Sequence, residues 1–230
     1  MYKGKKILGL IPARGGSKGV PRKNVLEVNG RPLIAWTIDE AKKSKYIDRL
    51  ILSSEDAEII ETAKRFGCEA PFVRPAELSR DETPGIDPVL HAVGAVEGFD
   101  YLVLLQPTSP LRIAGDIDGC IERCIDGGFD SCVSVKEVGD HPYLMFKLLG
   151  GVALEKLHKE KADRRQDLPE FYVLNGAVYV SRIEALLDAK DFIMPNTAGY
   201  VMPEDRSLDI DTPHDIELLK LYAAKNIQVN

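Results

Sequence analysis

The chain has 230 residues, 44% hydrophobic and 29% charged, with 30 Lys and Arg against 36 Asp and Glu for a net charge of -6. That composition suits one large domain that folds throughout, and it excludes both a low-complexity chain and a protein that reads nucleic acid over a broad basic surface. No apolar run reaches the ~18 residues of a bilayer span, and Met1 to Lys6 leads into a strand-like segment without a secretory pattern, so a cytoplasmic location and no membrane partner are expected.

Short apolar runs alternate with helix-period segments through the first half of the chain. Strands are predicted at Lys6 to Pro12, Arg49 to Ser53, Phe72 to Arg74, Tyr101 to Gln106 and Ser131 to Val135. Between them lie predicted helices at Leu33 to Ser44, Ala57 to Phe66, Ile86 to Glu97 and Ala114 to Asp126. The run YLVLLQ, 101–106, has no in/out alternation, as in a parallel strand covered on both faces. From Pro142 to Leu168 the rhythm changes to a charge-rich segment that reads as a hairpin or helical excursion, an insertion at about 142–168. A strand over 171–180, a helix over 181–189, a strand GYVMP and a final helix from Pro213 to Ala224 complete the sheet. The pattern is that of an α/β, doubly wound, mostly parallel sheet in one domain, with a small protruding subdomain. The cysteines Cys68, Cys120, Cys124 and Cys132 form no CxxC pair and read as thiols, neither disulfides nor a structural zinc set.

The segment after the first strand, IPARGGSKGVPRKN from Ile11 to Asn24, carries four cations, three glycines and no acid. Ligands gather at the carboxyl ends of strands in an open parallel sheet, and this is such a loop. Gly15, Gly16 and Gly19 let the backbone approach a ligand, while Arg14, Lys18, Arg22 and Lys23 bring positive charge, a combination that suits a polyphosphate. The spacing matches neither a Walker A loop nor a dinucleotide fingerprint, because a short strand over Asn24 to Val28 and a turn at Asn29-Gly30 precede the helix. The plain alternative is a basic surface turn.

Near the other end, Asp209 and Asp211 flank Ile210. In extended backbone the two acids share a face while Ile210 enters the core, and paired carboxylates suit Mg²⁺, which takes one or two of them with phosphate oxygens and water. Thr212 as N-cap, Pro213 at the first helical position and Asp215 form a capping pattern that leaves Asp211 free.

The pieces IPARGGSKGVPRKN, LSSEDAEI, RPAEL, LLQPTSPLR, SCVSV, RRQDLP, NGAVYV and DIDTP occur in order over nearly the whole chain. Together they resemble the acylneuraminate cytidylyltransferases, or CMP-sialic acid synthetases. The resemblance implies a nucleotidyltransferase fold of Rossmann-like type and a reaction of CTP with a nonulosonic acid, giving the CMP-sugar and pyrophosphate, usually in a Mg²⁺-dependent homodimer. In such a transfer the anomeric hydroxyl attacks the α-phosphate in line, and the protein positions groups and neutralises charge.

By similarity, Arg14, Ser17, Lys18 and Lys23 bind the CTP phosphates, Gly15 and Gly16 admit them, and Asn24 helps hold the nucleotide. Arg14, Lys18 and Asp211 are the candidate catalytic residues, with Asp209 and Asp211 as the metal pair. Arg74 matches a position at the cytosine end of CTP. Gln106 matches a sugar-acid contact, Arg165 a carboxylate ligand reaching across a dimer interface, and Asn175, Tyr179 and Phe192 the acyl and ring side. Residue for residue, the plain readings are a strand-capping arginine for Arg74, a solvated face for Arg164 and Arg165, and core aromatics for Tyr179 and Phe192. Some relatives carry a lysine where this chain has Leu144, which widens the expected substrate from N-acetylneuraminate to legionaminate, pseudaminate or a deaminated nonulosonate. The rivals are a synthetase for 3-deoxy-manno-octulosonate, whose first loop fits GGSKGVPRKN poorly, and a catalytically silent nucleotide-binding protein on the same fold.

Overall fold

Ile7, Leu8, Leu10 and Ile11 are all fully buried, because β1 (Ile7–Pro12) runs inside a six-stranded sheet with helices on both faces. The computed structural model describes residues 1–158 and 168–227. The strand order is β10-β6-β9-β5-β1-β4, with β4 Arg49–Ser53, β5 Tyr101–Leu104, β6 Ser131–Glu137, β9 Tyr172–Arg182 and β10 Thr197–Val201. β1 pairs in parallel with β4 and β5, and β6 with β10; β9 alone runs antiparallel to both its neighbours, β5 and β6. The mostly parallel, doubly wound expectation holds.

Alternate residues of each strand feed opposite layers. Ile7 and Ile11 of β1, with Val103 of β5 and Val178 and Val180 of β9, pack under α1 (Leu33–Lys43), α2 (Ala57–Arg65) and α4 (Ala114–Asp126). Leu8 and Leu10, with Leu102 and Leu104, pack under α3 (Asp87–Ala95) and α5 (Ile183–Ala189). Cys68, Cys120, Cys124 and Cys132 are buried free thiols within the first layer. A third, smaller core gathers Val20, Val28, Leu111, Ile210 and Leu219, and so fastens the cationic loop and the acidic segment to α6 (Pro213–Ile227).

Phe72 to Arg74 is not a strand. Pro71 and Pro75 remove ladder donors on either side, and the segment runs past the sheet edge held by Arg74 N to Ser54 O at 2.9 Å, after a single bridge between Ile51 and Glu69. The short strand predicted over Asn24 to Val28 begins later: a 3₁₀ turn covers Lys23–Val25, and β2 (Glu27–Val28) pairs with β3 (Arg31–Pro32) across Asn29 and Gly30. Both turn residues have positive φ, 52° and 75°, the geometry that favours Asn-Gly in tight hairpins. The insertion contains a separate exposed hairpin, β7 (Phe146–Leu149) with β8 (Ala153–Lys156).

Candidate active site

Two adjoining clefts open at the carboxyl edge of the sheet. The first, about 500 Å³, is lined by Arg14, Ser17, Lys18, Gly19, Lys23 and Asn24 of the loop after β1, by Arg74 and 80–85 segment residues Arg80, Asp81, Thr83 and Gly85, and by Gln106, Pro107, Thr108 and Asp211. The second, about 410 Å³, is lined by Gln106, Lys136, Leu174, Asn175, Gly176, Tyr179, Asp209 and Asp215 among others. Gln106 borders both, as its position just beyond β5 dictates.

The cationic loop is held from beneath. Asn24, 5% exposed, donates through Nδ2 to Arg14 O at 3.0 Å. The Gly15 amide donates to the Glu55 carboxylate at 2.8 Å, and Arg74 and Ser79 donate to the same group at 2.7 and 2.8 Å. Burial pushes the Glu55 carboxyl up, but these hydrogen bonds outweigh it and hold the group below its ordinary value. Arg74 is 4% exposed and also donates to Ala13 O and Ser79 Oγ, so it braces the loop while lining the cleft. Gly15 and Gly16 do not line the cleft; a Cβ on Gly15 would strike the Asp56 carboxylate, whereas one on Gly16 would meet nothing within 4 Å. Gly19 is the glycine that close packing demands, since a Cβ there would collide with the carbonyl of Asp211.

Each cation of the loop has an acid. Arg14 and Lys18 converge on Asp81 at 3.0 and 2.9 Å, and the Lys18 hydrogen bond holds the Asp81 carboxyl below its ordinary value. Lys23 bonds Asp211 Oδ1 at 3.0 Å and Ile210 O at 2.5 Å. Arg22, with φ 55°, turns to Asp56 and Glu58 and stays outside the cleft.

Asp209 to Asp211 belongs to no strand. Ile210 is fully buried and its amide donates to Thr108 O at 2.8 Å, so the two acids flank an anchored residue, Asp209 toward the second cleft and Asp211 toward the first. Burial pushes the Asp209 carboxyl up, and its Oδ1 is a buried oxygen without a hydrogen-bond partner. Asp215 accepts from the Thr212 amide at 2.7 Å and returns its own amide to Thr212 Oγ1 at 3.4 Å, the predicted reciprocal cap. Among the described residues no group of three or more His, Cys, Asp or Glu is placed to hold a metal. None of the four histidines lines either cleft.

In the second cleft Asn175 is 4% exposed and fully engaged. Its Oδ1 accepts from Ser134 Oγ at 2.6 Å and Ala177 N at 3.2 Å, and its Nδ2 donates to Ser207 Oγ and Met202 Sδ. With both amide hydrogens and both acceptor sites used, it is a scaffold for the cleft wall. Tyr179 lines the cleft; Phe192 does not, and packs behind it at 5.3 Å between ring centroids, 7% exposed. Arg165 lies outside the described residues. Gly176, at φ 75°, brings β9 so close that a Cβ would sit 3.2 Å from Gln106 Oε1.

Sequence reasoning passed over Glu55, Asp81 and Lys136, and set Arg112 aside as a structural residue. Glu55 stands in LSSEDAEI at the end of β4, where a strand-end acid facing a cationic loop was a usable signal. Asp81 and Lys136 reach their clefts through long-range packing and carry no local signal. Arg112 is 1% exposed, donates to Gln106 O at 2.7 Å, Ser109 O and Ala177 O, and bonds Thr37 Oγ1, so it fixes the backbone on which Gln106 stands. Burial pushes its guanidinium down to about 9.

The family model described as "Cytidylyltransferase" matches residues 8–223, which includes every element around both clefts. The chain belongs to the cytidylyltransferase family. The chain is 38% identical over 213 residues to the N-acylneuraminate cytidylyltransferase of Streptococcus agalactiae serotype V, covering 91% of the chain and 51% of the relative, so it spans about half the length of that protein. It is 34% identical over 227 residues to the pseudaminic acid cytidylyltransferase of Campylobacter jejuni serotype O:23/36, covering 96% and 97%. The CMP-N,N'-diacetyllegionaminic acid synthase of Legionella pneumophila is 31% identical, covering 91% and 93%. Among solved structures, CMP:2-keto-3-deoxy-manno-octonic acid synthetase complexed with CTP superposes with a TM-score of 0.75 at 18% identity, covering 96% and 99%, a likeness of fold.

Proposed function

We propose that this cytidylyltransferase transfers CMP from CTP to the anomeric hydroxyl of a nonulosonic acid and releases pyrophosphate. The observation that carries the reading is the pair of clefts joined at Gln106, one walled by Arg14, Lys18 and Lys23, the other by Tyr179 and Lys136. Relatives that match nearly end to end are named for pseudaminic and diacetyllegionaminic acids, which supports this class of acid as the substrate.

With the triphosphate in the first cleft, Arg14 and Lys18 exchange Asp81 for phosphate oxygens and Lys23 stands at the Asp211 side. The loop is braced through Glu55 before any ligand arrives, so its charges are positioned where negative charge shifts toward the leaving pyrophosphate. Arg112 fixes the Gln106 carbonyl and thereby the partition at which the sugar hydroxyl meets the α-phosphate.

The acidic segment fits Mg²⁺: it offers hard oxygen donors, one of them the partnerless buried Oδ1 of Asp209, with phosphate oxygens and water to complete the shell. Asp209 and Asp211 would hold the ion, which when bound supplies charge neutralisation at the phosphates.

The exposed apolar residues of the hairpin, Phe146, Leu148, Leu149 and Leu154, and the neighbouring Tyr172 and Val173 of β9, offer a face for a second copy, and a homodimer is part of the proposal. No helix among the described residues is long and apolar enough to cross a membrane, in keeping with an enzyme acting on dissolved CTP in the cytoplasm.

The test follows one oxygen. A nonulosonic acid labelled with ¹⁸O at the anomeric hydroxyl should deliver the label to the bridging position of the CMP-sugar, leaving pyrophosphate unlabelled. Label lost to water, or pyrophosphate formed without the acid, contradicts the transfer.

A further inference from the structure

The second cleft contains a cation for which neither the loop nor the acidic segment accounts. Lys136 lies on β6 beyond the register shift between Val133 and Val135, paired across to Val173 of β9. It is half-buried and lines the second cleft, and its ammonium forms no hydrogen bond or ion pair among the described residues. The loop cations Arg14, Lys18, Arg22 and Lys23, by contrast, are each held by a carboxylate. Among the described residues the other charged groups lining the cleft are both acids, Asp209 and Asp215, and Asp215 is committed to the amides of Asp211 and Thr212.

Among the described residues, an anionic occupant of this cleft therefore meets Asp215, the proposed Mg²⁺ ligand Asp209 and one free ammonium. Repulsion between like charges grows as distance shrinks and as water is excluded, so a carboxylate turns away from Asp215 and toward the ammonium. Resting on the function proposed above, we infer that Lys136 is the residue of this chain that binds the substrate's carboxylate and selects acids over neutral sugars. The chemistry fits the position. The C1 carboxylate of a 2-keto sugar acid is one bond from the carbon whose hydroxyl reacts, and that hydroxyl must point to Gln106, the residue shared with the phosphate cleft. The carboxylate is thus carried close to the triphosphate, where a countercharge matters most.

The experiment compares the wild type with Lys136→Met, which keeps the stem, and Lys136→Arg, which keeps the charge. Steady-state pyrophosphate release gives KM for CTP and for N-acetylneuraminate, pseudaminate and diacetyllegionaminate, and calorimetric titration gives direct binding of each acid and of its C1 amide. Removing a charge-assisted hydrogen bond predicts a loss of about 10- to 100-fold in affinity for the acid in Lys136→Met. KM for CTP should stay unchanged, the preference for acid over amide should vanish, and Lys136→Arg should restore it in part. Unchanged acid affinity in Lys136→Met, or equal losses for acid and amide, overturns the assignment while wild-type turnover leaves the proposed function standing. If the wild type neither binds nor turns over any of these acids, the proposed function fails and the assignment falls with it.

Discussion

The two clefts share Gln106 and little else. In the first, Arg14, Lys18 and Lys23 are tied to Asp81 and Asp211; in the second, Lys136 has no acid among the described residues. The pairs of the first cleft are partly exposed, with the Lys18 side chain 75% exposed, and exposed pairs contribute little. A ligand with several negative charges exchanges them at small cost, and one with a single charge gains little from doing so. The difference sorts the substrates: the polyanion goes to the cleft of tied cations, the single carboxylate to the cleft of the free one.

Lys18→Ala should break that sorting most severely. Losing one preorganised charge at the triphosphate should lower kcat/KM for CTP by about 10²- to 10³-fold, with KM for the sugar acid little changed. Steady-state kinetics in both substrates checks this, and an equal effect on the two KM values would erase the distinction between the clefts. Asp211→Asn should cost about 10²-fold in metal-dependent turnover and leave thermal unfolding close to the wild type, because Thr212 and Asp215 cap α6 without it; a titration of activity against Mg²⁺ reads the shift. Asp81→Asn should act the other way. With Arg14 and Lys18 released in advance, CTP should bind about two- to fivefold tighter, a change that calorimetry resolves.

The smallest effect concerns pH. The folded state holds the Glu55 carboxyl below its ordinary value of 4.5, so Glu55 stabilises the fold above that value and the contribution is lost as pH falls through the lower folded one. Glu55→Gln should therefore be less stable than the wild type at pH 7, and the gap should close below pH ~4.5 in denaturant melts. A gap that persists at low pH would mean that Glu55 acts through packing.

The sheet was legible in the sequence because its strands are unbroken apolar runs: Tyr101, Leu102, Val103, Leu104 and Leu105 are all buried. The cationic loop and the Asp209-Asp211 pair were legible because composition and spacing concentrate their chemistry in a few adjacent residues. What local pattern missed was set by residues far apart in sequence. Phe72 to Arg74 has strand-like composition but two flanking prolines and no partner beyond the sheet edge. Asp81 meets Arg14 across 67 positions, and Arg112 reaches Thr37 and Ala177 through the core, so neither leaves a trace in its neighbours. Asn175 matched a substrate contact by its motif, yet Ser134, Ala177, Met202 and Ser207 take up its whole amide.

The most direct test of two clefts serving one reaction is pyrophosphate release from CTP and Mg²⁺, measured across a panel of nonulosonic acids and their C1 amides. The account predicts release only when an acid is present, strongest for one member of the panel and negligible for every amide. Release from CTP alone, release with amides at the rate of the acids, or no release with any acid would contradict it.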